Sequence, residues 1–186
     1  MNEMVKNNEK GIAAVELALI LPILCIMAFG IIDFGRLIQA RLVITNVSRE
    51  GGSLASRDIE TGNDLLAVLQ ASSSPLDLQT SGRIFISKIK AGQTEAAPNP
   101  VIDSQVSSGG LIVSSGIGNN LAYLGVSQTL YNHLKFNPSH QTADISDLTV
   151  VEVFYKYRPI TPLPNFIQNI LLTDGDGMTI GSKSVF

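Results

Sequence analysis

A single carboxylate, Glu16, lies inside a long apolar segment near the N-terminus, and it is the residue there most able to do chemistry. The segment Ile12–Ile32 carries no other charged residue. A carboxylate in an apolar environment is costly even on lenient membrane-insertion scales, so such residues usually have a counter-charge and a function. Glu16 therefore predicts a contact with a positive group. The alternative is a tolerated charge near a membrane surface.

The neighbours of Glu16 define its setting. Lys10 and Gly11 end a short polar leader, and the apolar segment begins at once with Ile12. Gly11 has no Cβ, so an extended backbone at this position fits a narrow cleft. Pro22 lies within the apolar segment, where it removes one helical hydrogen bond and favours a kink.

The element that must hold these residues is a membrane helix. At 1.5 Å per residue, Ile12–Ile32 spans about 30 Å as a helix, which matches the hydrocarbon core of a bilayer. A soluble core helix is rarely apolar on every side over such a length. A cleaved secretory signal is the alternative, because Ala28-Phe29-Gly30 is a small-x-small triplet at the end of an apolar run. Against it, the leader is not basic and the apolar pattern continues past Gly30.

The run Lys10-Gly11-Ile12-Ala13-Ala14-Val15-Glu16 resembles the prepilin processing site of type IV pilins and pseudopilins, whose leaders are cut after the glycine on the cytoplasmic side. The resemblance implies that a prepilin peptidase cleaves between Gly11 and Ile12. The new ammonium on Ile12 would lie about 6 Å along the helix axis from Glu16. In the family, the amine of a neighbouring subunit is the usual proposal for the counter-charge. The positive-inside rule does not decide the orientation, since basic residues flank both ends.

Longer stretches are similar to the TadE-like family, which comprises minor pilins or pseudopilins of Flp (Tad, type IVc) pili. The similar stretches are Ala13–Leu19, Pro22, Phe29–Arg36 and Val150–Pro159. Leu17 stands where major Flp pilins carry Tyr, which favours an accessory subunit over the main filament protein.

This resemblance implies a structural subunit in the assembly of a Flp/Tad type IV pilus. Its implied partners are the inner membrane, other pilin-like subunits, the pilus assembly platform and the prepilin peptidase. It implies a single pass through a bacterial inner membrane, with a cytoplasmic N-terminus and a periplasmic C-terminal domain. The alternative is a membrane-tethered periplasmic binding or scaffold protein that never enters a filament.

Composition and isolated motifs indicate no enzyme. The net charge of −3 suggests no nucleic-acid partner. Cys25 is the only cysteine, which excludes an intrachain disulfide and a cysteine metal site. His133 and His140 have few acidic residues near them in the sequence, and Asp174-Gly175-Asp176-Gly177 lacks the later Glu of a calcium loop. We therefore predict no cofactor, no metal and no small-molecule substrate. A secreted enzyme would need cleavage near Gly30 and a catalytic cluster.

The patterns predict an α+β fold, in which the transmembrane helix continues into a long stalk helix packed on a small antiparallel β-sheet, as in pilins. The predicted domains are a leader at 1–11, a transmembrane helix at 12–32, an extracytoplasmic stalk helix at 33–57 and an α+β head at 58–186. Apolar residues recur at spacings of three and four in the stalk. A helix end at Gly51 is the alternative, because Gly51-Gly52 is costly in an exposed helix.

Within the head, helices and strands are predicted from periodicity and turn residues. The helices are 61–72, capped by Thr61 or Asn63, then 119–134 and 166–172. The strands are 83–90, 101–106, 148–157 and 178–186, with 111–114 pairing near 101–106. Alternation in the strongest strand places Val151, Val153, Tyr155 and Tyr157 on one face, and Val150, Glu152, Phe154 and Lys156 on the other.

Overall fold

A computed structural model describes residues 2–57, 62–118, 121–161 and 177–186. The helices are α1 (Asn2–Ser56), α2 (Asn63–Ser72), α3 (Leu78–Ser81) and α4 (Gln128–His133), with a 3-10 turn at Ala122–Gly125. The strands are β1 (Gly82–Lys90), β2 (Val101–Ser108), β3 (Asp147–Tyr157) and β4 (Met178–Val185). The predicted α+β fold, a long N-terminal helix packed on a small antiparallel sheet, is confirmed.

The chain divides into two compact units. One contains Met1–Gln39 and Arg158–Met178, and the other contains Ala40–Tyr157 and Thr179–Phe186. The long helix α1 contributes residues to both units. The β-sheet lies in the second unit, except for the first residue of β4.

The sheet has four strands in the order β2-β1-β3-β4. β1 pairs antiparallel with both of its neighbours, and Ile84 lies opposite Val153 on β3 and Ser108 on β2. Thr149 and Phe186 exchange two backbone hydrogen bonds, of 2.7 and 2.9 Å. Such a reciprocal pair is the signature of antiparallel pairing, and it fixes the register of the last strand against β3.

Both faces of the central strand β3 are buried. On one face, Val151 contacts α1 across Gly51, and Ile44 and Val47 of α1 are buried. On the other face, Leu148 and Val150 belong to an apolar cluster formed with loop and helix residues. The other members of that cluster are Ile89, Ala91, Ile117, Val126 and Leu134. From Leu148 to Val153 the predicted alternation therefore separates two buried layers, whereas Phe154, Tyr155 and Lys156 are half-buried.

Helix α1 continues through Gly51 and Gly52 to Ser56, so the alternative of a helix end at Gly51 is wrong. The two glycines instead allow close contact. A Cβ on Gly51 would lie 2.6 Å from a methyl carbon of Leu69, and one on Gly52 would lie 2.1 Å from the ring of Phe186. Packing against α2 and the C-terminal strand offsets the low helix propensity of glycine.

Most predicted elements of the head are present, namely the helix at 61–72 as α2 and the four strands as β1–β4. The predicted capping of α2 by Asn63 is wrong, because Gly62 is the N-cap and no side chain caps the helix. Residues 111–114 form no strand; they lie in a loop. Thr61 and the predicted helix at 166–172 lie outside the described residues, as does most of the turn at Asp174–Gly177.

The predicted helix at 119–134 is wrong as a single element. Tyr123 and Leu124 have φ values of 56°, in the left-handed region, and Gly125 follows with a φ of 82°. Three left-handed residues cannot continue a right-handed helix. A new helix, α4, then begins after Ser127, whose hydroxyl accepts a hydrogen bond from the backbone N–H of Leu130.

A buried group of serines joins α1 to β4. Ser48 is fully buried, and its hydroxyl lies 2.9 Å from that of Ser182 and 3.0 Å from that of Ser184. The Ser48 hydroxyl also lies within 3.0 Å of the backbone oxygen of Thr45. A hydroxyl group shielded from water needs a hydrogen-bond partner, and these three serines supply partners to one another.

We expect Ser48→Ala to lower the free energy of unfolding by about 1–2 kcal/mol, because Ser182 and Ser184 lose a buried partner. Urea denaturation of the full chain in detergent measures this change. Ser56→Ala is the matched control, since its exposed hydroxyl bonds only to the backbone oxygen of Ser53. Equal stability of the two variants would show that the serine group contributes nothing.

Candidate functional site

The four residues singled out at the N-terminus all lie within α1. Gly11 is helical, and a Cβ there would meet no atom within 4 Å. Ile12 is 62% exposed and Glu16 is also exposed. The helix is continuous through Pro22. The Gly11–Ile12 bond is therefore accessible within this chain, although a protease that requires extended backbone must first unwind the helix locally.

The apolar part of α1 is exposed along its whole length. Large side chains such as Leu19 and Met27 have 70% and 59% of their surface uncovered. In the part of the chain that the structure describes, this is the one helix long and apolar enough to cross a membrane. An exposed apolar surface of this length requires lipid or other helices around it. The helix thus fits a single-pass membrane protein.

Glu16 forms no hydrogen bond or ion pair with the side chains described for residues 11–57, 62–118, 121–161 and 177–186. The next charged residue along α1 is Asp33, which is also acidic. Because a carboxylate in an apolar medium needs a counter-charge, the cation for Glu16 must come from outside these residues.

Asp33 is a second carboxylate on α1, and its environment differs from that of Glu16. Asp33 is only 8% exposed. Its Oδ1 atom accepts hydrogen bonds from the backbone N–H groups of Ile160, at 3.1 Å, and Thr161, at 3.4 Å. Its Oδ2 atom accepts one from the hydroxyl of Thr161. Asp33 therefore holds the turn that follows β3 against the end of the apolar helix segment.

A third carboxylate, Glu152, is buried on the face of β3 opposite α1. Its Oε2 atom accepts hydrogen bonds from the Ser115 hydroxyl, at 2.5 Å, and from the backbone N–H of Gly116, at 3.0 Å. Lys183 lies 3.9 Å from Oε1 and donates a 2.6 Å hydrogen bond to the backbone oxygen of Gly125. Glu152 thus fixes the loop over the sheet, and its role is structural.

Gly116 is required for this arrangement. A Cβ at Gly116 would lie 2.7 Å from Oε1 of Glu152. The same loop is held a second time by Gln105, whose side-chain amide donates to the Ser115 hydroxyl and to the backbone oxygen of Ile117, both at 3.1 Å. The loop is therefore held from two neighbouring parts of the sheet.

The histidines and surface ion pairs present no metal site. His133 lies at the end of α4 with its Nδ1 atom 2.8 Å from a carboxylate oxygen of Asp144, so the fold supplies an acidic partner that the local sequence did not suggest. Lys90 pairs with Asp103 at 2.8 Å, and this hydrogen bond raises the pKa of Lys90. Within the described ranges, no group of three His, Cys, Asp or Glu residues could hold a metal ion.

Sequence reasoning found Glu16 but assigned no role to Asp33 or Glu152. Asp33 is the first charged residue after the apolar run, and that position is the signal in the sequence that points to it. Glu152 was correctly placed on one face of its strand. Glu152 is buried by a loop, residues 111–118. The sequence of this loop has no helical or strand periodicity from which its path could be predicted.

The α+β fold and the exposed apolar helix together fit a single-pass membrane protein with a folded C-terminal domain. Comparisons with known proteins then narrow the class of protein. A family model described as "TadE-like protein" matches residues 11–53, which confirms the resemblance over the apolar helix and most of its continuation. A TadE-like segment indicates a protein related to Tad pili and a structural rather than enzymatic family. No curated protein and no solved structure matches the chain.

We expect Glu152→Ala to lower the free energy of unfolding by about 2–3 kcal/mol, because Ser115 and the N–H of Gly116 lose their acceptor in a buried site. Limited proteolysis should cut the loop at 109–118 faster, and urea denaturation in detergent should show the lower stability. Glu95→Ala, at an exposed position, is the control. An unchanged cleavage rate in the Glu152 variant contradicts a loop-fixing role.

Proposed function

We propose that this chain is a minor pilin or pseudopilin, a structural subunit in the assembly of a Flp/Tad type IV pilus. One observation carries the proposal. Glu16 is an exposed carboxylate with no partner among the described residues, it lies inside an exposed apolar helix, and Gly11 precedes it by five positions. The match of residues 11–53 to the TadE-like family supports the same assignment.

The proposed maturation removes the leader, residues 1–11, on the cytoplasmic side. A prepilin peptidase hydrolyses the Gly11–Ile12 peptide bond, which leaves a carboxylate on Gly11 and an ammonium on Ile12. Residues 12–32 then hold the subunit in the inner membrane, while the stalk at 33–57 and the head at 58–186 lie in the periplasm. The exposed Gly11 supports this step, because no packed side chain shields the bond.

The proposed assembly step pairs Glu16 of one subunit with the Ile12 ammonium of another. Two opposite charges attract strongly in a low-dielectric medium, so this pair would set the axial register between helices. Small residues on the same helix segment, such as Ala13, Ala14 and Ala18, allow close approach of the two backbones. The partners are thus other pilin-like subunits and the assembly platform.

A membrane-tethered periplasmic binding or scaffold protein is the second candidate. The folded head favours it, because the two central strands β1 and β3 are buried over most of their length within one chain. Processing after Gly11 and co-purification with pili distinguish the two candidates, since a simple tether requires neither.

We expect Gly11→Val to block removal of the leader, because a β-branched side chain would enter the peptidase cleft that glycine fits. Mass spectrometry of the membrane-extracted protein from its host should find Ile12 as the N-terminus of the wild type and the leader retained in the variant. Gly30→Val is the matched control, since a Cβ at Gly30 also meets no atom within 4 Å. A wild-type N-terminus at Met1 or Ile31 overturns the processing proposal.

We expect Glu16→Gln to leave membrane insertion intact and to reduce the amount of the subunit in purified pili several-fold, because the amide carries no charge to pair with the Ile12 ammonium. Immunoblots of membrane and pilus fractions measure both quantities. Glu50→Gln makes the same chemical change at an exposed position of α1 outside the apolar run and should have no effect. Normal incorporation of the Glu16 variant contradicts the register role.

A further inference from the structure

We propose that the turn Pro159–Thr161 is a second membrane contact, in which the side chain of Ile160 enters the lipid at the boundary between the acyl chains and the headgroups. The inference rests on the part of the proposed function that places residues 12–32 in a bilayer. It does not depend on pilus assembly. Three observations carry it, all within the compact unit that contains both the apolar helix segment and this turn.

The first observation is the depth of Asp33. The uncharged run of α1 after Glu16 ends at Ile32, and Asp33 follows directly. An ionised carboxylate is strongly disfavoured in hydrocarbon and stable at its edge. With Ile12–Ile32 spanning the acyl region, Asp33 lies at the boundary, within about one helical turn of the headgroups.

The second observation is that Asp33 fixes the turn at this depth. Among the described residues, its two oxygens accept hydrogen bonds from the N–H groups of Ile160 and Thr161 and from the Thr161 hydroxyl. Hydrogen bonds to a charged carboxylate are about twice as strong as neutral ones. The turn is therefore held beside the helix where the helix enters the membrane surface.

The third observation is what the turn presents there. The side chain of Ile160 is 62% exposed, although its backbone N–H is bonded to Asp33. Neighbouring Phe34 on α1 is 63% exposed. The sequence carries no charged residue from Pro159 to Thr173. Exposed apolar side chains at the membrane surface are stabilised when they enter lipid, because their apolar area is then removed from water.

We infer that lipid contacts this turn, because the anchoring carboxylate holds the turn at the depth of the bilayer surface. Phe34, which follows Asp33 on the same helix, is exposed as well. The experiment uses the full chain reconstituted in vesicles of phosphatidylethanolamine and phosphatidylglycerol. Some of the lipids carry a nitroxide quencher near the headgroup.

A polarity-sensitive fluorophore is attached to one cysteine at a time. Native Cys25 reports on insertion of the helix, and in a Cys25→Ala background Ile160→Cys reports on the turn. Ile112→Cys is the matched control, because Ile112 is 95% exposed in the head. We expect the lipid nitroxides to quench the label at position 160 several-fold more strongly than the label at position 112, and aqueous iodide to show the reverse.

Two variants test the anchoring role of Asp33. Asp33→Ala should reduce lipid quenching at position 160 at least two-fold while leaving the Cys25 signal unchanged. Asp33→Asn should retain most of it, because an amide oxygen still accepts the two backbone hydrogen bonds that Oδ1 accepts now.

Equal iodide access at positions 160 and 112 overturns the lipid contact. A label at position 160 that neither the lipid nitroxides nor aqueous iodide quench also overturns it, since a second protein would then cover the turn. A Cys25 label that lipid does not quench overturns the membrane anchor itself, and with it both the proposed function and this inference. Loss of quenching at position 160 alone leaves the proposed function standing.

Discussion

A carboxylate removed from water needs hydrogen-bond donors or a counter-charge. The three carboxylates Asp33, Glu152 and Glu16 differ in how far they meet this requirement. Asp33 obtains two backbone N–H groups and a hydroxyl from a turn distant in sequence. Glu152 obtains a hydroxyl, a backbone N–H and a nearby lysine from the loop and strand above it. Glu16 obtains nothing from the described residues. Two of the three are satisfied by folding, whereas the third has no partner among the residues that the structure describes.

The same division applies to apolar surface. In the head, α1 and residues such as Ile117 and Leu134 cover opposite faces of one sheet, so β3 is buried on both sides from Leu148 to Val153. The apolar side chains between Ile12 and Met27 remain exposed. One helix therefore lies in two environments. Its residues from Ala40 onward contribute to a protein core, whereas its earlier residues require lipid or other helices.

The elements that could be predicted from the sequence are those whose pattern is local. The apolar run from Ile12 and the alternation in β3 each have a period that one helix or one strand satisfies alone. The break between Leu124 and Ser127 was missed, because leucines at helical spacing obscured a left-handed turn. That turn needs Gly125 to pass Gly116, where a Cβ would lie 1.8 Å from a backbone oxygen. The Asp33 contact was missed for a related reason, since its partners lie 127 and 128 positions away.

The serine contact between α1 and β4 has a consequence for the proposed topology, in which the head is exported after its helix. Ser48 meets Ser182 and Ser184 across separations of 134 and 136 residues. In that topology the buried face of the stalk helix stays uncovered until the whole intervening chain has crossed the bilayer. During that interval the sheet lacks its edge strand beside β3, and an unpaired strand edge readily joins another chain. A translocation partner or chaperone that shields this edge would shorten the period in which the young subunit is prone to aggregate.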